Sequence, residues 1–180
     1  MRVILEGLTG TGKSSTLAAM SRLGLLPPIV VPEEETFGDF MTELEAGKPS
    51  LDRLDAVAAR ALATPAFLLE RFHLSYYALL PEWDRYAALD ARLAADGVRG
   101  VLLTIDDAAL RGRSLMRAEY KDTDWQGFSD HFGSEDAALE ALRSSQARRI
   151  DALGKTAMKW TRIDTGSRDW DAIARAVAAA

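Results

Sequence analysis

Residues Gly7 to Ser14, reading Gly-Leu-Thr-Gly-Thr-Gly-Lys-Ser, satisfy the spacing G-x-x-x-x-G-K-[ST] in full. Each position in that pattern has a physical task. The glycines let the backbone wrap closely around phosphate oxygens, so that successive N–H groups converge on an anion. A helix opening at Lys13 adds the positive end of its dipole. Lys13 would reach the β- and γ-phosphates of a nucleoside triphosphate, and the Ser14 hydroxyl would ligate Mg²⁺. The pattern carries weight where it follows a buried strand and opens a helix. Val3-Ile4-Leu5 is a short apolar run before it, and Lys13 to about Leu23 reads as a helix closed by Gly24. Gly7, Thr9, Gly10, Thr11, Gly12, Lys13, Ser14 and Ser15 are therefore the candidate nucleotide-holding residues.

Three further apolar runs end in charge. Ile29-Val30-Val31 leads through Pro32 to Glu33-Glu34-Glu35. Ala66-Phe67-Leu68-Leu69 leads to Glu70-Arg71, and Val101 to Ile105 leads to Asp106-Asp107 with Arg111, Arg113 and Arg117 beyond. In open α/β sheets ligands bind just past the carboxyl ends of the strands. Phosphoryl transfer asks for a metal ion, a lysine, arginines near the transferred group, and a carboxylate to take the acceptor's proton. The sequence offers each of these. Some alternatives stay open: the glutamate run also reads as a solvated turn, and Asp106 as a helix N-cap rather than a metal ligand. Phe37, Phe40, Tyr76, Tyr77 and Trp83 could stack on an aromatic acceptor or pack in the core, with Phe37 and Tyr76 the candidates for substrate contact. His73 reads as helix structure. Trp125, Phe128, His131 and Phe132 cover either site or core.

These groups have to be held by a frame, and the frame is legible. Buried runs at 3–5, 29–31, 66–69, 101–105 and 158–163 read as five strands. Helices are expected over 13–23, 37–46, 51–63, 73–80, 81–95 (Pro81 in its first turn), from Asp107 to about Arg117, over 135–153, and from Asp169 to the end. The stretch from Lys121 to Gly133 has no clear period. Short buried strands alternating with helices specify an α/β doubly wound fold with a parallel sheet.

Composition narrows the function classes. The 180 residues carry a net charge of −5, with 48% apolar and 27% charged residues. One acidic domain of that size advertises no nucleic-acid or membrane surface. With no cysteine and two histidines, disulfides, thiolate sites and histidine-rich metal sites are excluded. No stretch has the length of a membrane span, so a cytoplasmic location is the expectation. The absence of asparagine rules out the Asn-Lys-x-Asp guanine-reading motif of a GTPase.

Glu6-Gly7 through Ser14-Ser15 resembles the E-G-x-x-x-x-G-K-[ST] opening of deoxynucleoside kinases and thymidylate kinases. Phe67 to Ser75 is similar to their strand-ending Glu-Arg-Ser segment, Val30 to Glu34 to their Glu-Pro segment, and Leu102 to Arg117 to their strand-plus-lid region. The resemblance implies a P-loop NTPase three-layer fold: a five-stranded parallel sheet flanked by helices, in a single domain over 1–180 with an arginine-bearing lid at about 107–133. It implies an ATP- and Mg²⁺-dependent kinase. Glu33 or Glu34 would be the general base, and Glu70 would organise Mg²⁺ near Ser14. Arg71 would hold the reacting end of the substrate, and Arg111, Arg113 and Arg117 would be lid arginines. The loop Gly166-Ser167-Arg168 would pass near the adenine, and a homodimer through surface helices is one arrangement such kinases use. The chain departs from the pattern: Phe72 stands for the serine of Glu-Arg-Ser, and Gln126 and Gln146 both come too late to read a base. The acceptor is then a nucleoside, a nucleotide or another hydroxyl-bearing metabolite. A nucleotide-gated regulatory module or weak ATPase working with a protein partner is the alternative.

Overall fold

The computed structural model describes residues 1–38, 40–47, 49–115 and 132–180. Its centre is a five-stranded, all-parallel sheet in the order β2-β3-β1-β4-β5, formed by β1 (Arg2–Gly7), β2 (Val30–Val31), β3 (Phe67–Glu70), β4 (Arg99–Thr104) and β5 (Lys159–Asp164). Parallel neighbours need crossover connections, and the intervening helices supply them.

Alternation along β1 decides the two faces. Val3 and Leu5 point to one side, where they meet α1 (Lys13–Arg22) through Ala19 and Met20 and α9 (Trp170–Ala179) through Ile173, Ala174 and Val177. Ile4 points to the other side, with Phe67 and Leu69. There it meets α4 (Asp52–Leu62), α5 (His73–Leu79), α6 (Asp84–Ala95) and α8 (Glu135–Ala152). The result is three layers. A smaller apolar cluster of Leu8, Ile105, Leu110, Ala138, Leu139 and Leu142 lies at the carboxyl end of the strands, with Phe132 against it.

The elements depart from the sequence expectations in five places. The glutamate run is not a turn but a short helix, α2 (Glu33–Thr36), and the expected helix 37–46 is reduced to α3 (Phe40–Glu45). Pro81 lies outside α6, which starts at Asp84. The helix after β4 is α7 (Asp107–Leu110), followed at once by a single π turn, Arg111–Leu115. Finally, β5 is an edge strand, and Lys159, Thr161, Arg162 and Asp164 are exposed along it. Among the described residues no helix is long and apolar enough to cross a membrane.

One buried polar cluster ties α5, α6 and the approach to β5 together. Asp90 is 2% exposed; it accepts hydrogen bonds from Thr156 Oγ1 and Ala157 N (2.6 Å) and faces His73 Nε2 at 3.2 Å. His73 is itself fully buried here, away from the carboxyl edge of the sheet, as a helix-packing residue. Burial alone would raise the Asp90 carboxyl, but the hydrogen bonds from His73, Thr156 and Ala157 outweigh it and hold the group below its ordinary value of 3.8. A depressed carboxylate stabilises the fold fully above its unfolded pKa, and that contribution is lost as pH falls through the folded value. Asp90→Asn is expected to cost about 2 kcal/mol at pH 7. The difference from wild type should shrink in urea titrations repeated below the ordinary carboxylate value.

Candidate functional site

The phosphate loop owes its shape to two glycines. Gly10 (φ 86°) and Gly12 (φ 90°) adopt the left-handed conformation that favours glycine. Space forbids a side chain as well: a Cβ on Gly12 would stand 2.3 Å from the Trp170 ring, and one on Gly10 2.5 Å from the Arg113 carbonyl oxygen. Thr11, buried, donates to Leu8 O (2.8 Å) and so serves the loop's own geometry. Gly7 is buried beneath the loop, and its carbonyl accepts from Lys13 Nζ (3.1 Å). Thr9, Gly10, Gly12, Lys13, Ser14 and Ser15 line a cavity of about 270 Å³, and the opposite wall is Glu33, Glu34, Glu70 and Arg71. The first N–H groups of α1 have no partners within the helix and lie in this wall.

The sheet order explains the juxtaposition. β1 and β3 are neighbours, so Gly7 and Arg71 leave adjacent strands at the same edge. Arg71 sits at φ 49°, a costly conformation for a residue with a side chain. It is held there from both ends. Its N–H donates to Leu5 O (3.0 Å), and its guanidinium donates from Nη2 to Thr9 Oγ1 (2.9 Å). Nε is ion-paired with Glu33 Oε2 (2.8 Å), and the group lies over the Phe37 ring at 5.6 Å. Glu33 also faces Lys13 Nζ at 3.8 Å. Glu34 lines the cavity, whereas Glu35 turns outward to Arg60. Glu70 is 8% exposed, and burial raises its pKa; Lys13 opposes that rise and the Glu33 charge reinforces it.

Lys13 is 6% exposed. Burial, then repulsion from Arg71, pull its pKa down to about 7 against the attraction of Glu33 and Glu70. A triphosphate placed in the cradle supplies negative charge and restores the ammonium. Nucleotide binding at pH 8–9 should therefore take up close to one proton, and the uptake should vanish below about pH 6. Calorimetry in buffers of different ionisation enthalpy measures it directly.

Other sequence-predicted residues lie elsewhere. Tyr76 is a correction: it is fully buried, packed on Phe40 with ring centroids 4.0 Å apart, and its hydroxyl donates to Thr36 O (2.9 Å). It supports Phe37 from below instead of meeting a substrate, whereas Phe37 is half-buried and reaches a cavity wall. Arg111 and Arg113 diverge at the π turn. Arg111 pairs with Glu135 (2.9 Å) and Asp136 at the start of α8. Arg113 is 8% exposed, donates to Thr165 O (2.8 Å) and Thr165 Oγ1 (3.1 Å), and lies over the Trp170 ring. Neither lines the phosphate cavity. Gly166, Ser167 and Arg168 form an exposed loop after β5, beside the Thr165 that holds Arg113. Asp106 caps α7 through Ala109 N (2.6 Å), and Asp107 pairs with Arg143 (2.6 Å). Arg117, Trp125, Phe128 and His131 lie outside the described residues. Phe132 packs at the carboxyl-end cluster.

A second cavity, of about 680 Å³, adjoins the first and shares Thr9 and Arg71 with it. Phe37, Leu79, Phe132 and Leu142 give it apolar walls, and α8 contributes Arg148 and Arg149. Sequence reading missed the buried network behind this wall. Glu6 is fully buried and accepts from Phe72 N (2.6 Å), Ser75 N (3.0 Å) and Ser75 Oγ (2.7 Å). Arg149 faces it at 3.8 Å and donates to Ser75 Oγ (3.1 Å). The one available signal was a carboxylate inside an otherwise apolar strand.

No protein-family model matches the sequence, and no curated protein matches it either. Solved structures do match its shape. The YorR protein of Bacillus subtilis, in complex with phosphorylated GDP, aligns with a TM-score of 0.66 at 16% identity, over 97% of this chain and 92% of its own. A gluconokinase from Sinorhizobium meliloti 1021 gives 0.56 at 17% identity (99% and 91%), and a shikimate kinase from Bacteroides thetaiotaomicron 0.55 at 12% identity (98% and 95%). The five-stranded parallel sheet with its flanking helices is thus the fold this chain shares with YorR, the gluconokinase and the shikimate kinase.

Proposed function

We propose that this chain is an ATP- and Mg²⁺-dependent phosphotransferase, moving the γ-phosphoryl group of ATP to a hydroxyl or phosphate of a small molecule. The observation that carries the reading is the meeting of two cavities at Arg71 and Thr9. On one side lies the phosphate cradle, and on the other a larger cavity with apolar walls. A molecule in the second cavity can present an oxygen to the end of a triphosphate held in the first. A regulatory module that meets a protein partner on an open surface has no use for the second cavity. The shared fold of shikimate kinase and gluconokinase, over more than nine-tenths of this chain, supports the same reading.

The roles follow from position. Lys13 and the N–H groups of the loop hold the phosphates. The acceptor oxygen forms the new P–O bond as the bond to the β-phosphate oxygen breaks. Glu33, on the wall of the phosphate cavity and ion-paired with the shared Arg71, takes the acceptor's proton, with Glu34 beside it on the same wall. Arg71 neutralises charge on the phosphoryl group in flight. A magnesium ion suits the donor set: Ser14 and Glu70 line the same cavity and offer hard oxygen ligands. Among the described residues no group of three or more metal-ligating side chains is arranged to hold an ion unaided. Mg²⁺ is commonly held by one or two protein oxygens together with phosphate oxygens and water, and would neutralise phosphate charge there.

The test is to incubate the chain with γ-labelled ATP, Mg²⁺ and a panel of nucleosides, nucleotides and hydroxylated acids. The expected result is a labelled acceptor and ADP release that depends on it. Slow ADP formation at one rate, whatever the acceptor, would count against the proposal.

A further inference from the structure

The second cavity carries more information than its presence. One side of it is a single face of α8, where Ala137, Ala141, Ser144 and Arg148 recur at helical spacing. Three small side chains keep that face low and leave the volume open. The fourth is an arginine. Its Nη1 donates to Ala78 O (2.8 Å), which ties it to the carboxyl end of α5, and among the described residues it meets no carboxylate. Glu140, the cavity's acidic neighbour, is taken up by Arg143 at 3.7 Å. Arg149 adds a second positive charge to the same wall. That group is 4% exposed, and burial lowers its pKa to about 10, with Glu6 opposing and Arg71 adding to the fall.

We infer that the cavity takes a small molecule with an apolar body and an anionic group, a carboxylate or phosphate, and that Arg148 is the residue selecting that charge. This rests on the kinase reading above for the role of the molecule as acceptor. The body lies against Phe37 and Leu79. The reacting oxygen lies near Arg71, before the first turn of α5, and the anion lies near Arg148, at its last turn. Seven residues of helix separate the two arginines, a span of roughly 10 Å at 1.5 Å per residue. A neutral acceptor of the same shape leaves Arg148 unanswered.

The experiment separates the pocket's preference from turnover. With a non-hydrolysable ATP analogue and Mg²⁺ filling the phosphate cradle, binding of two fluorescent probes is measured. One is 1-anilinonaphthalene-8-sulfonate, apolar and anionic; the other is N-phenyl-1-naphthylamine, its uncharged counterpart. The anionic probe is expected to bind more tightly. Arg148→Gln should weaken it by about tenfold, the order of one lost charge-assisted contact, and leave the neutral probe unchanged. Arg148→Lys should keep most of the preference, and Leu79→Trp, which fills the cavity, should weaken both probes. Equal affinity for the two probes, no binding of either, or an Arg148→Gln variant that keeps the preference each overturns the inference. A second arm offers a hydroxylated aromatic acid and its amide as phosphate acceptors. Transfer to both at equal rates overturns the inference and leaves the kinase reading standing. Transfer to neither, with the probes behaving as expected, removes the kinase reading and supports the charge preference.

Discussion

Arg71→Ala is expected to lower phosphoryl transfer by about two to three orders of magnitude while leaving ATP affinity within about threefold. The asymmetry comes from where the side chain stands. Arg71 belongs to both cavities, and its guanidinium is fixed by Thr9, Glu33 and the Phe37 ring before any ligand arrives. A charge held ready at the point where negative charge develops acts mainly on the transition state. On the proposed reading the phosphates are held by Lys13 and the N–H groups of the loop, which Arg71 meets only through the Thr9 hydroxyl. Arg71→Lys should recover only part of the rate, because an ammonium cannot span Thr9 and Glu33 as the planar fork does. Steady-state kinetics with the identified acceptor, beside equilibrium binding of ATP, give both quantities. If rate and affinity fall together, Arg71 belongs to the cradle and not to the transfer step. The fold should tolerate the change, since alanine at φ 49° costs only about 1 kcal/mol more than its usual conformations.

Glu6→Ala should act oppositely, on the fold before the chemistry. The carboxylate satisfies Phe72 N, Ser75 N and Ser75 Oγ at once and faces a guanidinium that is itself buried. Its removal leaves three buried donors without their acceptor and one buried cation without its counter-charge. A loss of about 3–5 kcal/mol is expected, the scale of one partner taken from a buried ion pair. That is a large part of the 5–15 kcal/mol available to a domain. The midpoint of urea unfolding should fall accordingly. Arg149→Met in the Glu6→Ala background should restore part of the loss, because the uncompensated charge goes with it. A Glu6→Ala variant as stable as the parent would mean that water reaches the site.

Much of this was legible in the sequence because it is local. The loop pattern, the apolar runs and the charges at their ends are readable within a few residues, and the sheet brings Lys13, Glu33, Glu70 and Arg71 to one cavity. The rest depends on which way an element faces. Arg148 and Arg149 sit on a polar helix, where adjacent arginines read as a solvated face; contact with Ser75 buries Arg149, while Arg148 stays exposed at the cavity's rim and is tied to Ala78 O. Arg111 and Arg113 read as one cluster, but the π turn rotates them apart, one to α8 and one to Thr165. Tyr76 carries the same aromatic signal as Phe37; their order on the chain does not say which of the two lies beneath the other. The run 158–163 looked buried because Met158, Trp160 and Ile163 are apolar, yet the intervening Lys159, Thr161 and Arg162 are those of an edge.

The strand order has a consequence for how the site comes into being. The phosphate loop hangs from β1, near the start of the chain, but β1 pairs with residues 67–70 on one side and 99–103 on the other. These are contacts of long sequence separation, which form slowly because a long loop must close first. On a translating ribosome the loop is made before its opposite wall, which is missing until Arg71 has emerged, and before the α8 wall, which comes later still. Nucleotide therefore has little to bind in a nascent chain. On the proposed reading it would act as a clamp on the finished fold, adding stability that rises with its concentration, and not as a template for reaching it.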